Sequence, residues 1–112
     1  MARFIKGDVV VLPLPFSDLS GSKRRPALVL ADLPGDDILL CQITSQQTKD
    51  PYSVSCIETD FVSGYLPSDS YIRPFRIFTA DKQIIIRKAG TVKSPVVNRV
   101  IQKIIDLLLE EM

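Results

Sequence analysis

The sequence predicts a mainly β domain with one helix at its C-terminal end, an α+β chain whose strands form a small closed or nearly closed barrel. Three observations predict it. Short β-branched and apolar runs recur between residues 7 and 87, separated by Gly, Pro, Ser and Asp clusters. After Ser94 the apolar residues change to spacings of three and four, the period of a helix. A chain of 112 residues is long enough for one hydrophobic core and too short for two, so a single domain spans residues 1–112.

Gly7–Leu12 is β-branched and apolar and reads as a buried first strand, ended by Pro13 and Pro15. Phe16 to Ser22 is a loop of turn residues. The second strand spans Pro26–Ala31. Pro26 offers no backbone donor, which places it at a strand's beginning, and it holds Arg25 extended. Leu33-Pro34-Gly35-Asp36 is a turn signal, and Asp37–Thr44 follows as a third strand, antiparallel to the second. Ser45 to Pro51 reads as a loop, and Tyr52–Ile57 alternates like a half-exposed strand. Phe61–Ser68, with Gly64 and Pro67, reads as a connection. Ser70–Arg73 and Arg76–Thr79 are short strands parted by Pro74, so one lies at an edge or bends there. Gln83–Arg87 is a further short strand. Ser94 caps the helix with Pro95 at its first position. Val97, Val100, Ile101, Ile104, Ile105 and Leu108 line one side of it, and Asn98, Arg99, Gln102, Lys103 and Asp106 the other. No internal repeat, low-complexity segment or linker is present.

The composition, 46% hydrophobic and 24% charged, is that of a soluble globular protein. The net charge of +1 hides an asymmetry: residues 1–32 carry five bases against three acids, whereas the last seven carry Asp106, Glu110 and Glu111 with no base. A nucleic-acid partner would therefore meet a local patch and not an overall field. Cys41 and Cys56 lie in apolar, strand-like surroundings with no signal peptide before the fold, and read as buried reduced thiols of a cytoplasmic protein. No apolar run approaches the roughly 20 residues of a membrane span. Two cysteines and no histidine argue against a structural zinc site.

The lack of histidine also removes Ser-His and Cys-His nucleophiles and a two-histidine ribonuclease. Gly21-Ser22-Lys23 lacks the first glycine of a phosphate-binding loop at the right distance, and the carboxylates show no metal-site spacing. Arginine, hydroxyls and a few acids remain. In Ser20-Gly21-Ser22-Lys23-Arg24-Arg25-Pro26, a polar turn runs into a guanidinium fixed at the mouth of an apolar strand, which suits a phosphate and equally suits an ordinary loop end. Cleaving RNA fits this set. The ribose 2′-OH is an internal nucleophile, so the protein need only align the reacting atoms and neutralise charge on the phosphate oxygens. The planar fork of arginine meets two such oxygens at once.

Gly7-Asp8-Val9-Val10, Arg25-Pro26-Ala27-Leu28-Val29, Gln42-Ile43-Thr44-Ser45-Gln46 and Asp69-Ser70-Tyr71-Ile72-Arg73 with Thr79-Ala80-Asp81-Lys82 resemble, in that order, the MazF/PemK family of bacterial toxins. The terminal helix fits as well, so the likeness covers nearly the whole chain. The resemblance implies an SH3-like β-barrel with a terminal helix, usually a homodimer. It implies a metal-independent endoribonuclease of a type II toxin–antitoxin system that uses no cofactor. Such toxins cut single-stranded RNA, often mRNA, at short sequences and leave 2′,3′-cyclic phosphate and 5′-hydroxyl ends. A cognate antitoxin occupies the RNA site, and DNA is met only indirectly through that antitoxin. By position, Arg25 and Thr44 fall on the family's catalytic arginine and threonine, and Arg73 on a second arginine used by some members. Lys23, Arg24, Ser45, Gln46 and Arg76 are candidate RNA contacts. Phe16 would stack a base, pack inward or meet the antitoxin. Phe75 and Phe78, beside the arginines, suit either stacked bases or the core.

Two departures bear on mechanism. Phe75 stands where some members have an aspartate given a proton-transfer role, and the histidine of some members' first loop is missing, so no side chain is assigned as the proton acceptor. Two other functions fit the same barrel. One is a non-enzymatic gyrase poison like CcdB, which relies on a tryptophan this chain lacks. The other is a barrel that binds RNA or a peptide without cutting it.

Overall fold

Successive residues of a strand point to opposite faces of its sheet. The central strands of this chain are apolar on both faces, so both must be covered. The computed structural model describes residues 3–15, 22–47 and 49–110. In it, β1 (Asp8–Pro15), β2 (Ser22–Asp32), β3 (Asp37–Thr44), β4 (Val54–Cys56), β5 (Phe61–Gly64), β6 (Ser70–Asp81) and β7 (Arg87–Val92) form one antiparallel sheet in the order β4-β6-β3-β2-β1-β7-β5. The sheet curls into a half-barrel and the chain closes with α1 (Ser94–Leu109). The predicted class holds, with β4 and β5 as the two edges.

One face carries Val9, Leu28, Cys41, Ile43 and Ile72, on which Val96, Val97 and Val100 of the helix pack. The other carries Val10, Leu12, Ala27, Val29, Ile38 and Leu40. The entry to β1 is fixed by Asp8, which is fully buried. Its carboxylate accepts the Ile5 N–H and the Thr91 hydroxyl, each at 2.9 Å, and lies 3.3 Å from Lys88 Nζ. Gly7 before it has φ of 97°, a backbone conformation L side chains rarely adopt, and packs closely on Val97 of the helix.

Several boundaries differ from the sequence reading, each for a backbone reason. Pro13 does not end β1, which runs on to the second expected terminator, Pro15, and pairs with β2 as far as Pro15↔Ser22. The Val11 carbonyl accepts the Ile86 N–H, so odd residues of β1 turn away from β2, and beyond Val11 that side has no ladder partner among the described residues to miss a donor. Pro26 likewise lies inside β2, opposite Val11 and one residue short of the first β3 pairing at Ala27↔Gln42. Phe61–Gly64 is a strand: Gly64 faces Gly90 across the β5–β7 pair so closely that a Cβ at position 64 would lie 2.1 Å from the Ala89 carbonyl oxygen. The expected strand at Gln83–Arg87 is instead a 3₁₀ turn over Lys82–Ile84, capped by the Asp81 carboxylate accepting the Gln83 N–H, and β7 begins only at Arg87. The fourth strand is the shorter Val54–Cys56. Lys93 occupies the N-cap position of α1, with no capping bond from its side chain, so Ser94 is already helical.

The two short strands around Pro74 are one, β6, and it bends as expected. Four residues, Arg73 to Arg76, stand opposite the single residue Gln42. Pro74 cannot donate to a ladder, so pairing with β3 breaks there, and the Cys41 thiol takes up the Arg73 carbonyl at 2.8 Å. The three extra residues are an odd number, so the inward side reverses: Ile72 packs in the helix-side core, and Phe78 and Ala80 in the other.

Candidate functional site

The second core face changes character along each strand. On β3 the residues Ile38 and Leu40 are apolar, and the next two on the same face are Gln42 and Thr44. On β2, Val29 and Ala27 lead to Arg25. The core therefore ends in a polar mouth at the side where β2 and β3 part. A cleft of about 730 Å³ opens there, lined on its polar wall by Arg25, Gln42, Thr44, Gln46, Arg73 and Arg76. Leu14, Phe78 and Ala80 belong both to its floor and to the core beneath.

Arg25 and Thr44 reach the cleft from neighbouring strands. Extending the pairing of Ala27 with Gln42 by two residues sets them side by side. The Thr44 Oγ1 accepts the Gln46 N–H at 3.2 Å, which leaves the hydroxyl proton to be donated into the cleft. The Nε atoms of Arg25 and Arg73 are both shielded from solvent. Arg73 and Arg76 join them from the bulge of β6. Three residues apart on a regular strand they would face opposite ways, and the bulge brings both to one cleft.

Of the sequence-predicted site residues, the structure gathers Arg25, Thr44, Gln46, Arg73 and Arg76. Lys23 and Arg24 are exposed on β2 opposite Leu14 and Pro13, and neither lines the cleft; Arg24 also lies on the opposite face of the strand from Arg25. Ser45 is exposed and outside the lining. Phe16 lies outside the described residues. Phe78 serves core and cleft together, whereas the Phe75 ring rests on Tyr52, centroids 4.6 Å apart. Sequence reasoning missed Gln42 and Thr79. Gln42 had a usable signal, since it lies two residues before Thr44 and shares its face.

Among the described residues, no group of three or more His, Cys, Asp or Glu side chains could hold a metal ion. The described lining of the cleft contains arginines, amides and hydroxyls but no carboxylate. Cys41 and Cys56 are free and buried, as expected. Burial pushes the Cys41 thiol up to about 12 and the Cys56 thiol up to about 11, with Asp60 adding to the rise of the latter. Neither is poised as a nucleophile. Among the described residues, no helix is long and apolar enough to cross a membrane.

Comparison with known proteins gives a consistent answer. The structure is similar to a MazE–MazF complex from Deinococcus radiodurans, with a TM-score of 0.73 and 22% identity over 99% of this chain and 100% of that one. It is similar to an endoribonuclease in complex with its cognate antitoxin from a mycobacterial species, with a TM-score of 0.72 and 19% identity over 98% and 100% of the two chains. The Mycobacterium tuberculosis toxin MazF-mt6 gives a TM-score of 0.72 at 14% identity, over 94% and 99%. At such identities these structures share the fold. A search of the curated proteins found no match. The model of the PemK-like, MazF-like toxins of type II toxin–antitoxin systems matches residues 5–108. The chain belongs to that family of toxins.

Proposed function

We propose that the chain is a metal-independent, sequence-selective endoribonuclease toxin that cleaves single-stranded RNA through attack of the 2′-OH on the adjacent phosphorus. The P–O5′ bond breaks, the proton of the 2′-OH is released, and the 5′ oxygen takes one up. The products are a 2′,3′-cyclic phosphate and a 5′-hydroxyl. One observation carries the reading: Arg25 and Thr44, from two neighbouring strands, converge with Arg73 and Arg76 on a cleft with no acid among its described lining residues. A polyanion is the ligand such a wall accepts. Arg25 clamps the phosphate and stabilises the charge that builds on its oxygens, and Thr44 donates a hydrogen bond to the same group. Gln42, Gln46 and Thr79 offer donors and acceptors to base edges. The floor of Leu14, Phe78 and Ile84 takes base faces. Family membership further supports a homodimer acting in the cytoplasm, silenced by a cognate antitoxin that occupies the cleft and brings it to DNA only indirectly.

The test is incubation of the purified protein with a long single-stranded RNA in EDTA. Cuts at a short recurring sequence with cyclic-phosphate ends are expected, and Arg25→Ala should slow them by about 10²–10³-fold. An intact RNA overturns the reading, and retained binding would then assign the cleft to a non-cutting RNA-binding barrel.

A further inference from the structure

Arg73 is approached from outside the cleft by a second segment. Just before β4, Asp50 makes a turn on itself: its Oδ1 accepts the Tyr52 N–H at 2.9 Å, and its carbonyl oxygen accepts the Ser53 N–H at 3.3 Å and the Ser53 hydroxyl at 3.0 Å. The carboxylate is thereby held in place, only 16% of the Asp50 side chain exposed, with Oδ2 3.8 Å from Arg73 Nε; this is an ion pair longer than a hydrogen bond, and the shielded Nε has no hydrogen-bond partner among the described residues. The same segment meets the bulge at two further points. The Tyr52 ring rests on Phe75, and Val54 pairs with Ile72. On the other side, the Cys41 thiol holds the Arg73 carbonyl. A bulge without a regular ladder is thus braced at its backbone and its ring, with a fixed carboxylate facing its guanidinium.

We propose that Asp50 is a positioning residue, whose carboxylate holds the Arg73 guanidinium along the cleft wall so that its fork is already aimed when a phosphate arrives. What Arg73 meets rests on the RNA-cleavage reading; the hold itself does not. An arginine carries a large rotamer entropy, and ordering it before binding removes that cost from the encounter. Asp50 is absent from the cleft lining, so it acts through Arg73 and not on the substrate. A second consequence sets this apart from simple electrostatics. Deleting an acid beside a cationic cleft would by charge alone strengthen RNA binding, whereas deleting a positioning group weakens catalysis.

Asp50→Asn tests this, because an amide oxygen in the same place can still accept the Tyr52 N–H while the charge is lost. In the protein without RNA, the Arg73 Nε–H nuclear magnetic resonance signal should be slow to exchange and distinct in the wild type. In Asp50→Asn it should move toward the signals of exposed arginines. For RNA cleavage, kcat/KM should fall about fivefold in the wild-type background and not at all in an Arg73→Ala background. An unmoved Arg73 signal, an equal fall in both backgrounds, or faster cleavage by Asp50→Asn would each overturn the proposal. A wild-type chain that leaves RNA intact overturns the cleavage reading instead, and the Arg73 signal then decides the hold alone.

Discussion

Thr44→Val separates chemistry from stability at the centre of the cleft. The substitution keeps the branched outline at position 44 and removes one hydroxyl. Among the described residues that hydroxyl oxygen accepts the Gln46 N–H alone, at 3.2 Å, and Gln46 is exposed. Water can replace the lost acceptor, so the stability change should stay within about 0.5 kcal/mol. For a domain of this size the corresponding shift in Tm is within about 4 °C. Catalysis should respond differently. A hydrogen bond donated to a charged phosphate oxygen is worth about 1.5–3 kcal/mol. If it is made in the transition state, its loss slows cleavage by about ten- to 150-fold. Single-turnover cleavage at saturating enzyme, with thermal unfolding of the same preparation, measures both. Thr44→Ser restores the hydroxyl and should recover most of the rate. The reasoning fails if Thr44→Val cleaves at the wild-type rate, if Thr44→Ser is as slow as Thr44→Val, or if the loss follows the unfolded fraction.

Two further predictions concern the frame. Asp8→Ala strips the Ile5 N–H and the Thr91 hydroxyl of their acceptor inside the protein, which should destabilise it by about 3 kcal/mol. Tm should fall by roughly 12–20 °C; a fall below about 4 °C would show that water reaches these groups. The thiols give a pH signature. With Cys41 pushed to about 12 and Cys56 to about 11 from an ordinary 9.0, both stay protonated and unreactive toward a maleimide at pH 8 until urea unfolds the chain. Above pH 9 the unfolded chain releases these protons while the folded protein keeps them. The folded state then binds more protons, and stability falls as pH rises toward 12. That slope, measured by urea unfolding, should be shallower in the double variant Cys41→Ala, Cys56→Ala; equal slopes, or rapid labelling of the folded thiols, would contradict the burial argument.

Much of this architecture was legible because apolar runs and their periods are local properties. The runs Val9–Leu12 and Ile38–Ile43 announce strands whatever they pair with, and the spacing from Val97 to Leu108 announces a helix. Arg25 could be singled out as a guanidinium held before Pro26 at the mouth of an apolar strand, and Thr44 only through its likeness to the family's pattern. What failed was punctuation. Pro13 and Pro26 look like strand boundaries, but a proline interrupts pairing only on the side its nitrogen faces, and that side depends on which neighbour is present. Gly64 looks like a turn, yet here it lets two backbones approach. The contribution of Asp50 was hidden for a similar reason: it is 23 residues from Arg73 in sequence, and only the β4–β6 pairing brings them together.

The bulge at Pro74 ties these threads together. A regular β6 would carry the sheet further and place Arg73 and Arg76 on opposite faces, one of them in the helix-side core. Breaking the ladder with a proline turns both outward into the same cleft as Arg25. Three guanidiniums gathered there repel one another, and no acid in the described lining relieves them from within. Asp50 offsets part of that repulsion from behind the wall, where it does not occupy the space of a ligand. In the proposed reaction the cleft then faces the phosphate of the RNA with its guanidiniums. The residue that breaks the strand is therefore part of what makes the site.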